Sequence, residues 1–77
     1  MTLRDLMDNG VMIQGCIKLQ CWKANMDYPV IYFEGFIDNG LKPIEKYLER
    51  DITYIFPYET YIGGVSVPSI CIEIEEE

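Results

Sequence analysis

The chain has no histidine, and its thirteen acidic residues are answered by only six basic ones. Without histidine there is no side chain whose ordinary pKa lies near neutrality, and no serine or cysteine sits beside a plausible base. There is no glycine-rich phosphate loop, no Cys-x-x-Cys and no other metal-ligand spacing. No apolar run approaches the ~18 residues of a membrane span. The start, Met1-Thr2-Leu3-Arg4-Asp5-Leu6, lacks both the basic and the apolar region of a signal peptide. Together these absences predict a cytoplasmic protein that is not an enzyme and holds no cofactor or metal. The formal charge of −7 makes the phosphate term of nucleic-acid binding repulsive, so direct contact with DNA or RNA is not expected.

What is present points to a dense fold. Hydrophobic residues make up 49 % of the 77 and aromatics 13 %, against 25 % charged, which is not the composition of a disordered chain. The length allows one domain, spanning residues 1–77. A chain this short buries only about 60 % of its unfolded surface, so its core must be compact. The three cysteines are an odd number. Cys16 and Cys21 fall on opposite faces of one strand, about 16 Å apart at ~3.3 Å per residue, and so cannot bridge. Buried free thiols acting as small hydrophobes are the expected state.

Local patterns order the elements. Thr2 with Asp5 three positions later resembles a capping box, and Leu3, Leu6 and Met7 form the apolar stripe of a short helix stopped by Asn9-Gly10. Residues 11–22 alternate: Val11, Ile13, Gly15, Ile17, Leu19 and Cys21 form a core face. Met12, Gln14, Cys16, Lys18, Gln20 and Trp22 form a largely polar one. Residues 23–27 read as a loop. Residues 30–37 form a second strand, apolar on both sides, with Ile31, Phe33 and Ile37 on one and Val30, Tyr32 and Phe36 on the other. Gly15 and Gly35 inside strands predict bulges or coiling. After the turn at Asp38-Asn39-Gly40, Pro43 begins a second helix through Arg50, with Ile44, Tyr47 and Leu48 as its stripe. A third strand covers residues 52–56, with its ladder ended by Pro57. Gly63-Gly64 sits in a connection, and residues 69–75 form a last strand with Ile70, Ile72 and Ile74 inward and Cys71, Glu73 and Glu75 outward.

The predicted fold class is therefore α+β, in the order α-β-β-α-β-β. It has two short helices on a four-stranded, mostly antiparallel, strongly curved sheet, either open or rolled into a small barrel. The short loop after the first strand makes an antiparallel hairpin the natural pairing. The two-sided second strand requires cover on both faces, from helices and a closed sheet or from a second copy in a homodimer.

Candidate functional residues are sparse. Tyr32, Phe33, Phe36, Tyr54 and Phe56 have places in a strand core, whereas Trp22, Tyr28, Tyr58 and Tyr61 sit at strand ends or in loops. There they either lid a thin core or contact a partner protein. Acidic residues gather in two regions, Glu45, Glu49 and Asp51 near the second helix and Glu73, Glu75, Glu76 and Glu77 at the C-terminus. They form either a solvated surface that keeps strand edges apart or a mimic of nucleic-acid phosphates. Glu73 and Glu75, about 7 Å apart on one strand face, have a separation found in glycosidases. A domain of this size rarely has a substrate cleft to put them in. The candidate partner surface is accordingly Trp22, Tyr28, Tyr58, Tyr61, Glu73 and Glu75.

The string from Leu3 through Gly10, the Ile13-Gln14-Gly15 that follows, Ile52-Thr53-Tyr54-Ile55 and the alternating Ile/Glu end resemble small proteins of gut Firmicutes and of their phages and integrated elements. The resemblance spans most of the chain and rests on structural motifs, so it brings no activity and no site residues. It implies a context in which small acidic proteins often act by binding a host or phage protein. The expectation is a non-enzymatic, protein-binding module; an acidic nucleic-acid mimic and a small-ligand binder or enzyme are the rival readings.

Overall fold

Two residues that flank the first buried side chain, Leu3, set the start of the fold. The Asp5 N–H donates to Thr2 Oγ1 at 3.1 Å and the Thr2 N–H donates to the Asp5 carboxylate at 2.9 Å, closing a reciprocal capping box. The Thr2 backbone hydrogen bond holds the Asp5 carboxyl below its ordinary range. The helix it opens, α1 (Leu3–Asp8), is too short to persist alone. It is held by the complete burial of Leu3, by the Arg4 N–H donating to the Leu48 carbonyl at 3.0 Å, and by an Arg4–Glu49 ion pair.

The computed structural model describes residues 1–11, 13–37 and 42–76. After α1 come β1 (Gly15–Cys21), β2 (Val30–Ile37), a 3-10 helix (Lys42–Tyr47), β3 (Ile52–Ile62) and β4 (Val65–Ile74). The expected turn at residues 38–40 lies outside the described residues, as does Met12. The α+β order is the expected one. Several details differ from the sequence expectation, each for a physical reason.

The strands lie in the order β2-β1-β4-β3. β1 pairs with β2 and β3 with β4 antiparallel, but the central pair, β1 with β4, is parallel, so the sheet is mixed. Parallel neighbours need a crossover, and the segment carrying the 3-10 helix supplies it. The edge strands β2 and β3 are not hydrogen-bonded to one another, and the sheet stays open rather than closing into a barrel. Register shifts occur at Leu19/Gln20 and Ile52/Tyr54, and Gly15 takes a positive φ of 103° that a side-chain-bearing residue rarely adopts.

The second helix is a 3-10 turn ending at Tyr47, not a helix through Arg50. Tyr47 stacks on Tyr32 with ring centroids 4.4 Å apart. The third strand does not stop at Pro57 but runs through it, which an edge strand tolerates because the missing N–H can fall on its open side. β4 likewise starts earlier than expected. The two strands meet at Gly63-Gly64, whose φ values of 59° and 81° suit a two-residue hairpin turn.

One layer of helix covers one face of the sheet. Leu3, Ile44 and Leu48 pack on Ile17, Leu19 and Cys21 of β1, Ile37 of β2, and Ile72 and Ile74 of β4. Ile70 has the inward parity expected of it but remains exposed, outside the buried cluster. Among the described residues no helix is long and apolar enough to cross a membrane.

Candidate interaction surface

Strand register brings the opposite face together in rows. Gln20 lies between Ile31 and Glu73, and Glu73 in turn lies beside Tyr54. One step along, Lys18 lies between Glu34 and Cys71, with Phe56 beyond Cys71. Cys16 pairs with Phe36, and Ser69 with Tyr58. Each row has a centre of small or polar residues on the two inner strands and mostly apolar or aromatic ends on the edge strands.

The inner positions are not the solvated surface that alternation suggested. Cys16, Lys18, Gln20, Ser69, Cys71 and Glu73 are all buried. This corrects the outward placing of Cys71 and Glu73, while the burial of Cys71 agrees with the expected state of the thiols. The edge residues behave in the opposite way: Phe36 is 62 % exposed and Tyr54 67 %, so the core places assigned to them are also corrected. A bulge explains part of this. The shift at Leu19/Gln20 puts Ile31 opposite Gln20, turning it to the same face as Phe36 while Val30 joins Cys21 on the helix side.

The buried polar floor is bonded internally. Glu73 Oε2 accepts from Trp22 Nε1 at 2.7 Å and from Gln20 Nε2. Lys18 Nζ donates to the Tyr58 hydroxyl at 3.1 Å and lies 4.2 Å from the Tyr58 ring centroid. Thr60 and Ser69 share a hydroxyl hydrogen bond at 3.0 Å. Gln20 Oε1 is buried and accepts nothing. Exchanging the amide atoms would turn that oxygen onto the Glu73 carboxylate, so the orientation is set by charge.

Of the six residues singled out from the sequence, the structure brings three together on this face: Trp22 and Glu73 in direct contact, and Tyr58 through Lys18. The other three lie apart. Tyr28 is exposed in the loop between β1 and β2, and Tyr61, one position past Thr60, projects from the other side of the hairpin. Glu75 is exposed beyond the end of β4, its N–H donating to the Asp51 carbonyl at 2.8 Å. Sequence reasoning missed Lys18, Gln20, Ile31, Phe36 and Tyr54. Alternation had already placed Lys18, Gln20 and Trp22 on one face; the missing knowledge was that β4 lies next to β1.

Two depressions are formed among the described residues, one of them bordered by Phe36 of this face. One of about 160 Å³ is lined by Ile13, Gln14, Ile17, Ile55, Ile70 and Ile72 on the helix side. The other, about 370 Å³, is bounded by Gln14, Gly15, Phe36 and Ile37. Neither is lined by an ionisable side chain. Among the described residues no three His, Cys, Asp or Glu side chains are grouped to hold a metal ion.

The three cysteines are free and buried. Burial pushes the Cys71 thiol up to about 11, the nearby Glu73 charge adds to the rise, and Lys18 opposes it. A thiol raised in the folded state contributes stability that is complete below its ordinary pKa of ~8.5 and is lost as pH rises toward the folded value. The expected result is a fall in unfolding free energy between about pH 9 and pH 11 that Cys71→Ala flattens, measured by urea denaturation. A thiol reagent at pH 8 should label none of the three cysteines quickly in the folded chain and all of them in denaturant. Fast native labelling of Cys71 would contradict its burial.

No protein-family model, curated protein or solved structure matches the chain.

Proposed function

We propose that the chain is a protein-binding module without a reaction of its own, and that its contact surface is the sheet face opposite the helices. One observation carries this reading: Trp22, Ile31, Phe36, Tyr54 and Tyr58 stand exposed on one sheet face whose centre is a buried, hydrogen-bonded polar floor. Large apolar side chains exposed together on one face are a common mark of interaction sites. Tryptophan and tyrosine beside buried polar groups are the usual composition of binding hot spots. Three buried, unpaired cysteines favour a reducing, cytoplasmic setting. Action on a host or phage protein accords with the context that the sequence resemblance implies.

A phosphate mimic at the C-terminus is the weaker reading. Glu73 is buried and engaged by Gln20 and Trp22, which removes it from the run that Glu75 and Glu76 continue. A second copy of the chain would cover the aromatic face equally well as an object of binding, and the test separates the two.

A photo-crosslinking phenylalanine analogue is placed at Phe36, and as a control at Lys46 on the 3-10 helix, in cells that make the protein. A discrete product with another protein from position 36 and not from 46 is the expected result. A product of twice the 9.0 kDa chain mass means that the partner is a second copy. Equal products from both positions, or none from 36, reject the face.

A further inference from the structure

The centre of that face is short of hydrogen-bond donors. Glu73, 8 % exposed, uses Oε2 for both of its donors, and among the described residues nothing donates to its Oε1, which is not a fully buried atom. Gln20, 5 % exposed, directs its amide N–H to the same carboxylate and leaves Oε1 buried without a partner. An acceptor left unmade in the interior, as Gln20 Oε1 is, costs about 1–3 kcal/mol, whereas Glu73 Oε1 stays open to a donor from outside. The donors already present are neutral, so the carboxylate charge is not cancelled. Lys18, the basic residue of this face among the described residues, is turned to Tyr58 instead. Glu34 adds a second carboxylate in the neighbouring row, within a chain of net charge −7. The rings of Trp22 and Tyr54 flank the Gln20–Glu73 pair, 51 % and 67 % exposed.

From this arrangement we infer that the face recognises an arginine side chain projecting from a basic segment of the partner protein, with the Glu73 carboxylate as the acceptor and Trp22 and Tyr54 as the ring walls. A guanidinium matches the site in three ways. It is positive where the face is negative, it presents several N–H groups in one plane to a carboxylate, and it stacks on aromatic rings. An ammonium meets the charge but not the fork. The inference rests on the binding face proposed above and specifies the chemistry of what that face takes.

Trp22 is the chain's one tryptophan, so its fluorescence reports on the site directly. The purified chain is titrated with a blocked hexapeptide of alternating glycine and arginine, with the same peptide carrying lysine, and with one carrying citrulline, the uncharged analogue of arginine. A saturable change in Trp22 emission is expected with the arginine peptide, at least about tenfold weaker with citrulline and intermediate with lysine. Glu73→Gln keeps an acceptor for Gln20 and Trp22 but removes the charge, and should weaken the arginine peptide about tenfold. Glu75→Gln removes the same charge from an exposed position and should stay within about twofold. Should Glu73→Gln fail to fold, Tyr54→Ala, which alters an exposed ring, carries the same expected loss. Equal weakening by the two glutamate changes means diffuse attraction and overturns the inference, as does the absence of a saturable response. In that event a crosslink from position 36 would still uphold the face itself, so the two failures are distinguishable.

Discussion

Leu19→Ala lowers the unfolding free energy by about 3–5 kcal/mol, the range for a fully enclosed leucine whose site cannot collapse. Leu19 is completely buried in the middle of β1, with Phe33 opposite it on one side and Ile72 on the other. Leu3 and Ile44 of the two helices, and Leu48 just past the second, complete the same cluster. Removing the side chain forfeits its transfer free energy and leaves a cavity between two layers that are both pinned by hydrogen bonds. A domain of this length has a total stability of roughly 4–12 kcal/mol, so the variant should stand near or below the threshold of folding. Urea denaturation followed by Trp22 fluorescence and far-ultraviolet circular dichroism measures the loss. Ile70→Ala is the matching control, since Ile70 has the same face parity on β4 but is 43 % exposed. It should cost about 1 kcal/mol or less. Equal costs at the two positions would contradict the one-sided core.

Arg50→Ala is expected to cost about 2 kcal/mol, and to lower the midpoint of thermal unfolding by roughly 10 °C. Arg50 Nε donates to the Glu75 carbonyl at 2.9 Å, and a guanidinium nitrogen approaches Cys21 Sγ at 3.5 Å. The same group lies 5.1 Å from the Tyr32 ring centroid and 5.9 Å from that of Tyr47, the two rings that stack on each other. One side chain thus joins the end of β4, the 3-10 helix and an edge strand. Individually these contacts are modest, because Arg50 is partly exposed and solvent weakens each of them. Lysine keeps the charge but not the planar fork, so Arg50→Lys should recover less than half of the loss. Full recovery by lysine would reduce the role of Arg50 to charge alone.

The elements of this fold were legible because they rest on local rules. Thr2 and Asp5 announce a helix start through a reciprocal bond that spans three residues, and that bond is present. The alternation of Ile17, Leu19 and Cys21 identified the core side of β1, and Ile72 and Ile74 that of β4. Gly63-Gly64 marked the connection that proves to be a two-residue turn. Pro57 misled because its meaning depends on position in the sheet: it ends a central strand but passes in an edge strand, and nothing local says which β3 is. Proline at residue 43 likewise indicated a helical turn without saying that the turn would be 3-10 and end at Tyr47.

The candidate surface was legible by halves. Trp22, Tyr58 and Glu73 stood out as residues without a core explanation, and all three fall on the same face. Tyr28 and Tyr61 shared that description and lie elsewhere, Tyr28 in a loop and Tyr61 on the other side of β3, a strand that runs further than the sequence indicated. Glu73 and Gln20 are separated by 53 positions, and their contact follows only from the parallel pairing of β1 with β4. Burial of Lys18 and Cys71 has the same origin: a strand residue becomes enclosed when it has neighbours on both flanks, and flanking strands are a property of the sheet order.

By itself the amino-acid sequence determined the number and kind of elements, the capping of α1 and most of the residues that line the helix-facing core. Those features follow from interactions within a few positions of each other and from the two-residue period of a strand. Only the tertiary structure decided that the first and last strands lie side by side at the centre of an open sheet. That choice depends on how the chain crosses over, which the period of the side chains does not encode. It is this crossing that encloses a carboxylate and an unsatisfied amide oxygen beneath a rim of exposed rings.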